Sequence, residues 1–130
     1  MALTARTFEY AVEVDTGGRM TIPGGGQLVM PEGWSADHLL LAALVRCSIA
    51  SLAYHARRAG HTSTASGSAH GRITRAGEDD RFRFVEIVVQ IDVHLDPPLH
   101  DPHDLLARAE RDCFVSASLR LEPEYEWRVF

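Results

Sequence analysis

The sequence predicts an α+β fold in which an antiparallel sheet packs on a long central helix and a second, shorter helix. The middle of residues 35–59 is apolar nearly all round, and every second residue from Val85 to Leu95 is apolar. The first pattern is typical of a buried helix and the second of a half-buried strand. Glycine- and proline-rich turns separate further short alternating segments. A length of 130 residues suits a single domain over residues 1–130.

The first third of the chain predicts three short strands. Thr4–Val14 alternates, with apolar side chains on one face and glutamates on the other, which indicates a half-buried strand. The turn sequence Asp15–Gly18 leads into a second strand over Arg19–Ile22. A run of glycines after Pro23 forms the next turn, and a short strand follows near Gln27–Met30.

Residues from Ser35 to about Ala59 predict one long helix. Ser35 is a suitable N-cap, Asp37 lies in the first turn where the helix dipole favours an anion, and Gly60 provides the stop. A helix that is apolar on all sides requires cover on all sides. In a chain this short we expect the sheet to cover one face and a partner subunit to cover the other.

The clearest strand runs from Arg81 to Leu95, and it forms a hairpin with Thr64–Ile73 through the turn at residues 77–80. The Thr64–Ile73 strand carries small residues on one face, which lets a helix approach closely. A second helix begins where Asp101 provides the cap and Pro102 the first position. The alternating segment Glu124–Phe130 closes the sheet.

Composition excludes several classes of function. A net charge of −5 without a basic cluster disfavours nucleic-acid binding. All 13 basic residues are arginine, which excludes Schiff-base lysine chemistry and P-loop phosphate binding. No uninterrupted run of about 18 apolar residues and no signal-like N-terminus are present, so we expect a cytoplasmic protein without a membrane span. We also expect no bound cofactor.

The two cysteines, Cys47 and Cys113, are the candidate reactive groups. A cytosolic chain with two thiols favours a reacting and resolving pair over a structural disulfide. The alternative is that both are small apolar core residues. A zinc site at His100 and His103 is a weaker possibility, because the intervening Asp101 and Pro102 are better explained as a helix start.

Two segments resemble the OsmC/Ohr family, which groups osmotically inducible protein C with the organic hydroperoxide resistance proteins. The first is Ser35-Ala-Asp-His-Leu-Leu-Leu-Ala-Ala-Leu-Val-Arg-Cys47, which is similar to the start of the family's central helix. The second is Cys113-Phe-Val-Ser-Ala-Ser-Leu, which is similar to the family's second cysteine segment. Ala36 and Phe114 stand where the family has proline. The predicted order of strands fits the family over nearly the whole chain.

The resemblance implies an intertwined homodimer and a thiol peroxidase that reduces organic hydroperoxides with an external, lipoyl-type dithiol as reductant. By position, Cys47 is the peroxidatic cysteine and Cys113 the resolving one. The family's catalytic glutamate falls on Asp37, one methylene shorter, and its catalytic arginine falls on Arg19.

Asp37 and Cys47 are ten residues apart on one predicted helix, roughly 15 Å along its axis. Both can belong to one site only if the helix is broken or if Asp37 comes from a second subunit. We therefore expect a site at a dimer interface. The alternative function is a non-enzymatic protein that binds an apolar small molecule in the same interface pocket.

Overall fold

A computed structural model describes residues 5–130 of the chain. These residues fall into two compact units, one that ends at Ser35 and one that comprises Ala36–Phe130. The α+β class is confirmed, but the strands form two three-stranded sheets where one was predicted. The single domain over residues 1–130 stays a prediction.

The first unit contains an antiparallel sheet of three short strands, β1 (Glu13–Val14), β2 (Arg19–Thr21) and β3 (Gln27–Val29). β2 and β3 lie where the sequence predicts them. The strand predicted over Thr4–Val14 is wrong for all but its last two described residues, and Thr4 itself lies outside the described residues.

Exposure explains why the predicted first strand is so short. Tyr10 is 84% exposed, and Phe8 and Val12 are more than half exposed. An alternating pattern records which face would be buried, but a strand also requires a neighbour to take up its backbone hydrogen bonds. Within the described part of the first unit, β2 pairs only with Glu13 and Val14 of this segment.

The second unit contains the long helix, the long hairpin and the C-terminal strand. Its elements are α1 (Ala36–Arg58), β4 (Thr62–Ala76), β5 (Arg81–Asp96), α2 (His103–Arg111), α3 (Phe114–Ala117) and β6 (Glu124–Val129). The sheet order is β4-β5-β6, so β5 is the central strand. β4 and β5 pair antiparallel with one irregularity at Arg72/Ile73, whereas β6 pairs parallel to β5. The prediction of a wholly antiparallel sheet is therefore wrong at β6.

The core forms between β5 and the helices. Every second residue of β5 from Ile87 to Leu95 is buried, as the alternation predicts. From α1, Leu44, Leu52 and Ala56 are fully buried against this face. The opposite face of α1 is open in the single chain, where Tyr54 is 50% exposed. The helix is thus covered on one face by its own sheet, as expected, and its second face is uncovered within the described chain.

Two glycines allow α1 to lie directly on β4. A Cβ atom added at Gly67 would lie 2.8 Å from the Gln90 carbonyl oxygen and 3.1 Å from Val45 Cγ1. One added at Gly71 would lie 2.5 Å from the Phe84 ring and 3.3 Å from Leu41 Cδ2. The small-residue face of β4 therefore does what the sequence predicts and sets the distance between helix and sheet.

The end of α1 is fixed to the end of α2 by two polar contacts. The Ser51 hydroxyl donates to the Ala109 carbonyl at 2.9 Å, and His55 Nε2 lies 2.8 Å from Asp112 Oδ2. The α2 helix begins at His103, two residues after Asp101, whose carboxylate accepts the His103 N–H at 3.1 Å. These contacts place Cys113, the residue that precedes α3, beside the middle of α1.

By length and composition alone, α1 is also long and apolar enough to cross a membrane, with a mean hydropathy of 1.6. A single helix of this kind is weak evidence, because the central helix of a globular protein meets the same criterion. The absence of a membrane span stays a prediction.

Replacing Gly67 with valine tests the close approach of α1 to β4. The new side chain would overlap the Gln90 carbonyl oxygen and Val45, so we expect the free energy of unfolding to fall by about 1–3 kcal/mol. Ser68→Val is the matched control, because Ser68 is the next residue and its side chain is exposed. Urea unfolding of both variants measures the difference, and equal stabilities would contradict the packing described.

Candidate active site

The two cysteines meet in the second unit although they are far apart in the sequence. Cys47 lies near the middle of α1 and Cys113 lies immediately before α3. Both are free thiols, and Cys113 is close enough to Cys47 to affect its pKa. Cys47 is partly exposed, whereas Cys113 is completely buried. A reagent from solvent therefore reaches Cys47 first.

The surroundings of Cys47 act on its thiol in opposite directions. Burial is the largest influence and raises the pKa of Cys47 above its ordinary value, and the neighbouring Cys113 raises it further. The backbone N–H groups of Val115 and Phe114, at the start of α3, lower the pKa because they stabilise a thiolate. Burial and Cys113 prevail, so the contacts within this unit favour a protonated Cys47.

Hydroxyl groups surround Cys113. The Ser48 hydroxyl lies 3.5 Å from Cys113 Sγ, 2.8 Å from the Leu44 carbonyl oxygen and 2.8 Å from the Tyr125 hydroxyl. Cys113 and Ser116 are also close enough to the Tyr125 hydroxyl to influence its pKa. Burial raises the pKa of Tyr125, so this hydroxyl keeps its proton and can donate.

Asp37 is distant from Cys47 of the same chain, and Arg19 belongs to the first unit. Asp37 is exposed in the first turn of α1. Because α1 is continuous from Ala36 to Arg58, Asp37 is separated from Cys47 of the same chain by roughly 15 Å along the helix axis. Arg19 is the first residue of β2 in the first unit, and its N–H donates to Asp15 Oδ1 at 2.9 Å. The roles of Asp37 and Arg19 stay predictions.

The sequence reasoning missed Ser48 and Tyr125. Ser48 and Ser51 are the two buried polar residues of α1, one turn apart on the face that packs against the core. This pair of serines in an apolar helix was the available signal. Tyr125 lies in the alternating segment predicted to close the sheet, but nothing in the sequence connects it with Ser48 or Cys113.

An open cleft of about 570 Å³ lies on the far side of Tyr125. Tyr125 and Ser116 line it together with residues of α2 and of the segment before β6. Among residues 5–130, no group of three or more histidine, cysteine, aspartate or glutamate side chains could hold a metal ion.

A model of the OsmC-like protein family matches residues 25–128. The chain belongs to the OsmC-like family. The matched range includes both cysteines, Ser48 and Tyr125. A search among curated proteins returned no match.

Solved structures with an OsmC-like fold superpose along nearly the whole chain. An OsmC-like protein of unknown function from Vibrio cholerae is 14% identical, with a TM-score of 0.73 and coverage of 93% of this chain and 99% of that one. An OsmC-like protein from Mycoplasma pneumoniae is 14% identical, with a TM-score of 0.68 and 98% coverage of both chains. The organic hydroperoxide resistance protein OhrB of Bacillus subtilis is 16% identical, with a TM-score of 0.57 and coverage of 96% and 98%. At these identities the superpositions establish the OsmC-like fold.

Removing Cys113 tests the direction of its effect on Cys47. Because Cys113 raises the pKa of Cys47, we expect Cys113→Ala to lower that pKa and to increase the thiolate fraction at any pH below it. The midpoint of the pH dependence of Cys47 alkylation by iodoacetamide, followed by mass spectrometry, should therefore be lower in Cys113→Ala than in the unmodified protein. An unchanged midpoint would show that the two thiols do not interact, and a higher one would show that Cys113 stabilises the Cys47 thiolate; either would contradict the expected effect.

Proposed function

We propose that the protein is a thiol-dependent peroxidase that reduces organic hydroperoxides. The observation that carries the proposal is the contact between a partly exposed thiol, Cys47, and a fully buried one, Cys113. Membership of the OsmC-like family and the fold shared with organic hydroperoxide resistance proteins support it.

In the first step the Cys47 thiolate attacks the terminal oxygen of the hydroperoxide. The O–O bond breaks, an alcohol leaves after taking up a proton, and Cys47 becomes a sulfenic acid. In the second step the sulfur of Cys113 attacks that of Cys47, a disulfide forms, and the hydroxyl of the sulfenic acid leaves as water with the proton of Cys113. An external dithiol, of the lipoyl type, then exchanges with the disulfide and restores both thiols while it is itself oxidised.

The raised pKa of Cys47 means that this chemistry requires a cation that the described contacts of Cys47 do not supply. We assign this role to Arg19, whose guanidinium would lower the pKa of Cys47 and hold the peroxide oxygens with its fork of donors. Asp37 would orient that arginine through a bidentate pair. Because α1 is unbroken, Asp37 would serve the Cys47 of a second copy, and we propose a homodimer with shared sites.

The uncovered face of α1 is consistent with such a dimer. It carries the half-exposed Tyr54 and exposed alanines together with the arginines Arg46 and Arg57. Aromatic residues and arginine are enriched at interfaces between subunits. A monomer with full peroxidase activity would contradict the shared site. We further propose that the protein acts in the cytoplasm, where reducing conditions keep the thiols free.

One observation favours a second candidate function. A thiol whose pKa is raised by burial is a poor nucleophile at neutral pH, and apolar side chains flank it. A non-enzymatic protein that binds an apolar small molecule at the same interface would show both features. The reactivity of Cys47 toward peroxide separates the two functions.

Titration of free thiols tests the peroxidase cycle. One equivalent of cumene hydroperoxide added to the reduced protein should remove both free thiols of each chain, and dithiothreitol or dihydrolipoamide should restore them. Ellman's reagent in denaturant, applied at timed intervals, measures the loss. Thiols that persist through many minutes of exposure would favour the binding protein over the enzyme.

Single substitutions assign the roles of the two thiols. Cys47→Ser should lose all peroxidase turnover, because Cys113 is fully buried and is not the first thiol that a peroxide meets. Cys113→Ser should consume one equivalent of peroxide and then stop with a sulfenic acid on Cys47, which dimedone labels and mass spectrometry detects. Turnover that survives in Cys47→Ser would overturn the assignment.

A further inference from the structure

The buried hydroxyl of Ser48 has three polar neighbours. It can donate one hydrogen bond and accept two. The Leu44 carbonyl at 2.8 Å would by itself satisfy the donor, since buried helical serines commonly bond to the carbonyl four residues earlier. The Ser48 oxygen also lies 3.5 Å from Cys113 Sγ and 2.8 Å from the Tyr125 hydroxyl. These two contacts are not needed to satisfy the Ser48 donor.

The Tyr125 hydroxyl could bond either to water in the cleft or to groups inside the protein. Tyr125 lines the cleft of about 570 Å³, where its hydroxyl could be hydrated, yet that hydroxyl is bonded inward to Ser48. Ser116, which also influences the Tyr125 hydroxyl, lines the same cleft. Ser48 and Tyr125 thus connect buried Cys113 with the lining of the cleft.

We propose that Ser48 and Tyr125 are positioning residues for Cys113 in the resolving step. When Cys113 is a thiol, the Ser48 hydroxyl donates to the Leu44 carbonyl. As Cys113 gives up its proton and attacks Cys47, the Ser48 O–H turns from Leu44 to the developing negative charge on Cys113 Sγ. Tyr125 donates to Ser48 Oγ in both states and holds the oxygen in place while its proton changes partner.

The inference rests on the proposed function in treating Cys113 as the resolving thiol, but its test does not require a peroxide. Protein carrying a thionitrobenzoate group on Cys47 is prepared at low pH, freed of reagent and brought to neutral pH. Cys113 then attacks Cys47, the sulfur–sulfur bond to thionitrobenzoate breaks, and one thionitrobenzoate thiolate and one proton are released as the protein disulfide forms. The absorbance of the released thiolate gives the rate of the resolving step alone.

Ser48→Thr and Ser48→Val are the decisive pair, because their side chains have nearly the same shape and only threonine keeps a hydroxyl. We expect Ser48→Thr to release thionitrobenzoate within about twofold of the unmodified rate and Ser48→Val about tenfold more slowly, the effect of losing one hydrogen bond to a charged group. Tyr125→Phe should slow release by about threefold, which corresponds to losing one hydrogen bond between neutral groups.

Ser51→Ala is the matched control. Ser51 is one turn further along α1, is also buried, and donates to the Ala109 carbonyl at 2.9 Å. Removing this hydroxyl should leave the release rate unchanged. If the Ser48 variants acted only by loosening the helix, Ser51→Ala would slow release as well. The rate at which Ellman's reagent first modifies Cys47 should be the same in all four variants, since that step does not involve Cys113 as nucleophile.

Equal release rates in Ser48→Thr and Ser48→Val would overturn the inference, as would the absence of release from the unmodified protein. Rates that differ as expected, in a protein that fails to reduce cumene hydroperoxide, would support the inference and contradict the peroxidase function. Slow release in Ser51→Ala equal to that in Ser48→Val would also overturn it, because the effect would then be structural.

Discussion

The close packing of α1 on β4 is the constraint on which the rest of the second unit depends. Gly67 and Gly71 have no side chains, and a single added carbon at either would overlap neighbouring atoms. Because these two residues lack side chains, Val45 and Leu41 of the helix can pack directly on the sheet, which sets the rotation of the helix. That rotation turns Ser48 toward the core and leaves Cys47 partly exposed. The position of the candidate site thus follows from two glycines that carry no chemistry.

The contacts within the second unit do not by themselves favour ionisation of Cys47. Within the second unit, Cys47 is held by burial and by Cys113 in a state that resists ionisation, and backbone N–H groups at the start of α3 only partly offset this. A thiol in such a setting is protected from indiscriminate oxidation, since the thiolate is the reactive form. In the proposed peroxidase, activation by Arg19 would then make the reactivity of Cys47 depend on assembly of the complete site.

Hydroxyl groups instead of charges surround the second sulfur. Ser48 and Tyr125 provide hydrogen bonds to or near Cys113 without introducing a charge into the core. Burying an unpaired charge there would destabilise the fold far more than burying satisfied hydroxyls does. The two cysteines therefore have different surroundings: Cys47 is partly exposed to solvent, and Cys113 is buried beside hydroxyl groups.

Local pattern in the sequence determined the central helix, the long hairpin, the small-residue face of β4 and both cysteine positions. Each of these depends on neighbours along the chain: caps, alternation and turn residues.

Tertiary structure alone decided the parallel pairing of β6, because alternation at Tyr125 and Trp127 indicates which face is buried and not the direction of the adjacent strand. It also decided the loss of most of the first predicted strand, whose side chains have the right pattern but no cover. The meeting of Cys47, Ser48, Cys113 and Tyr125 is likewise a tertiary result, since these residues come from three separate segments and only the packing of α1 against the sheet and α2 brings their side chains together.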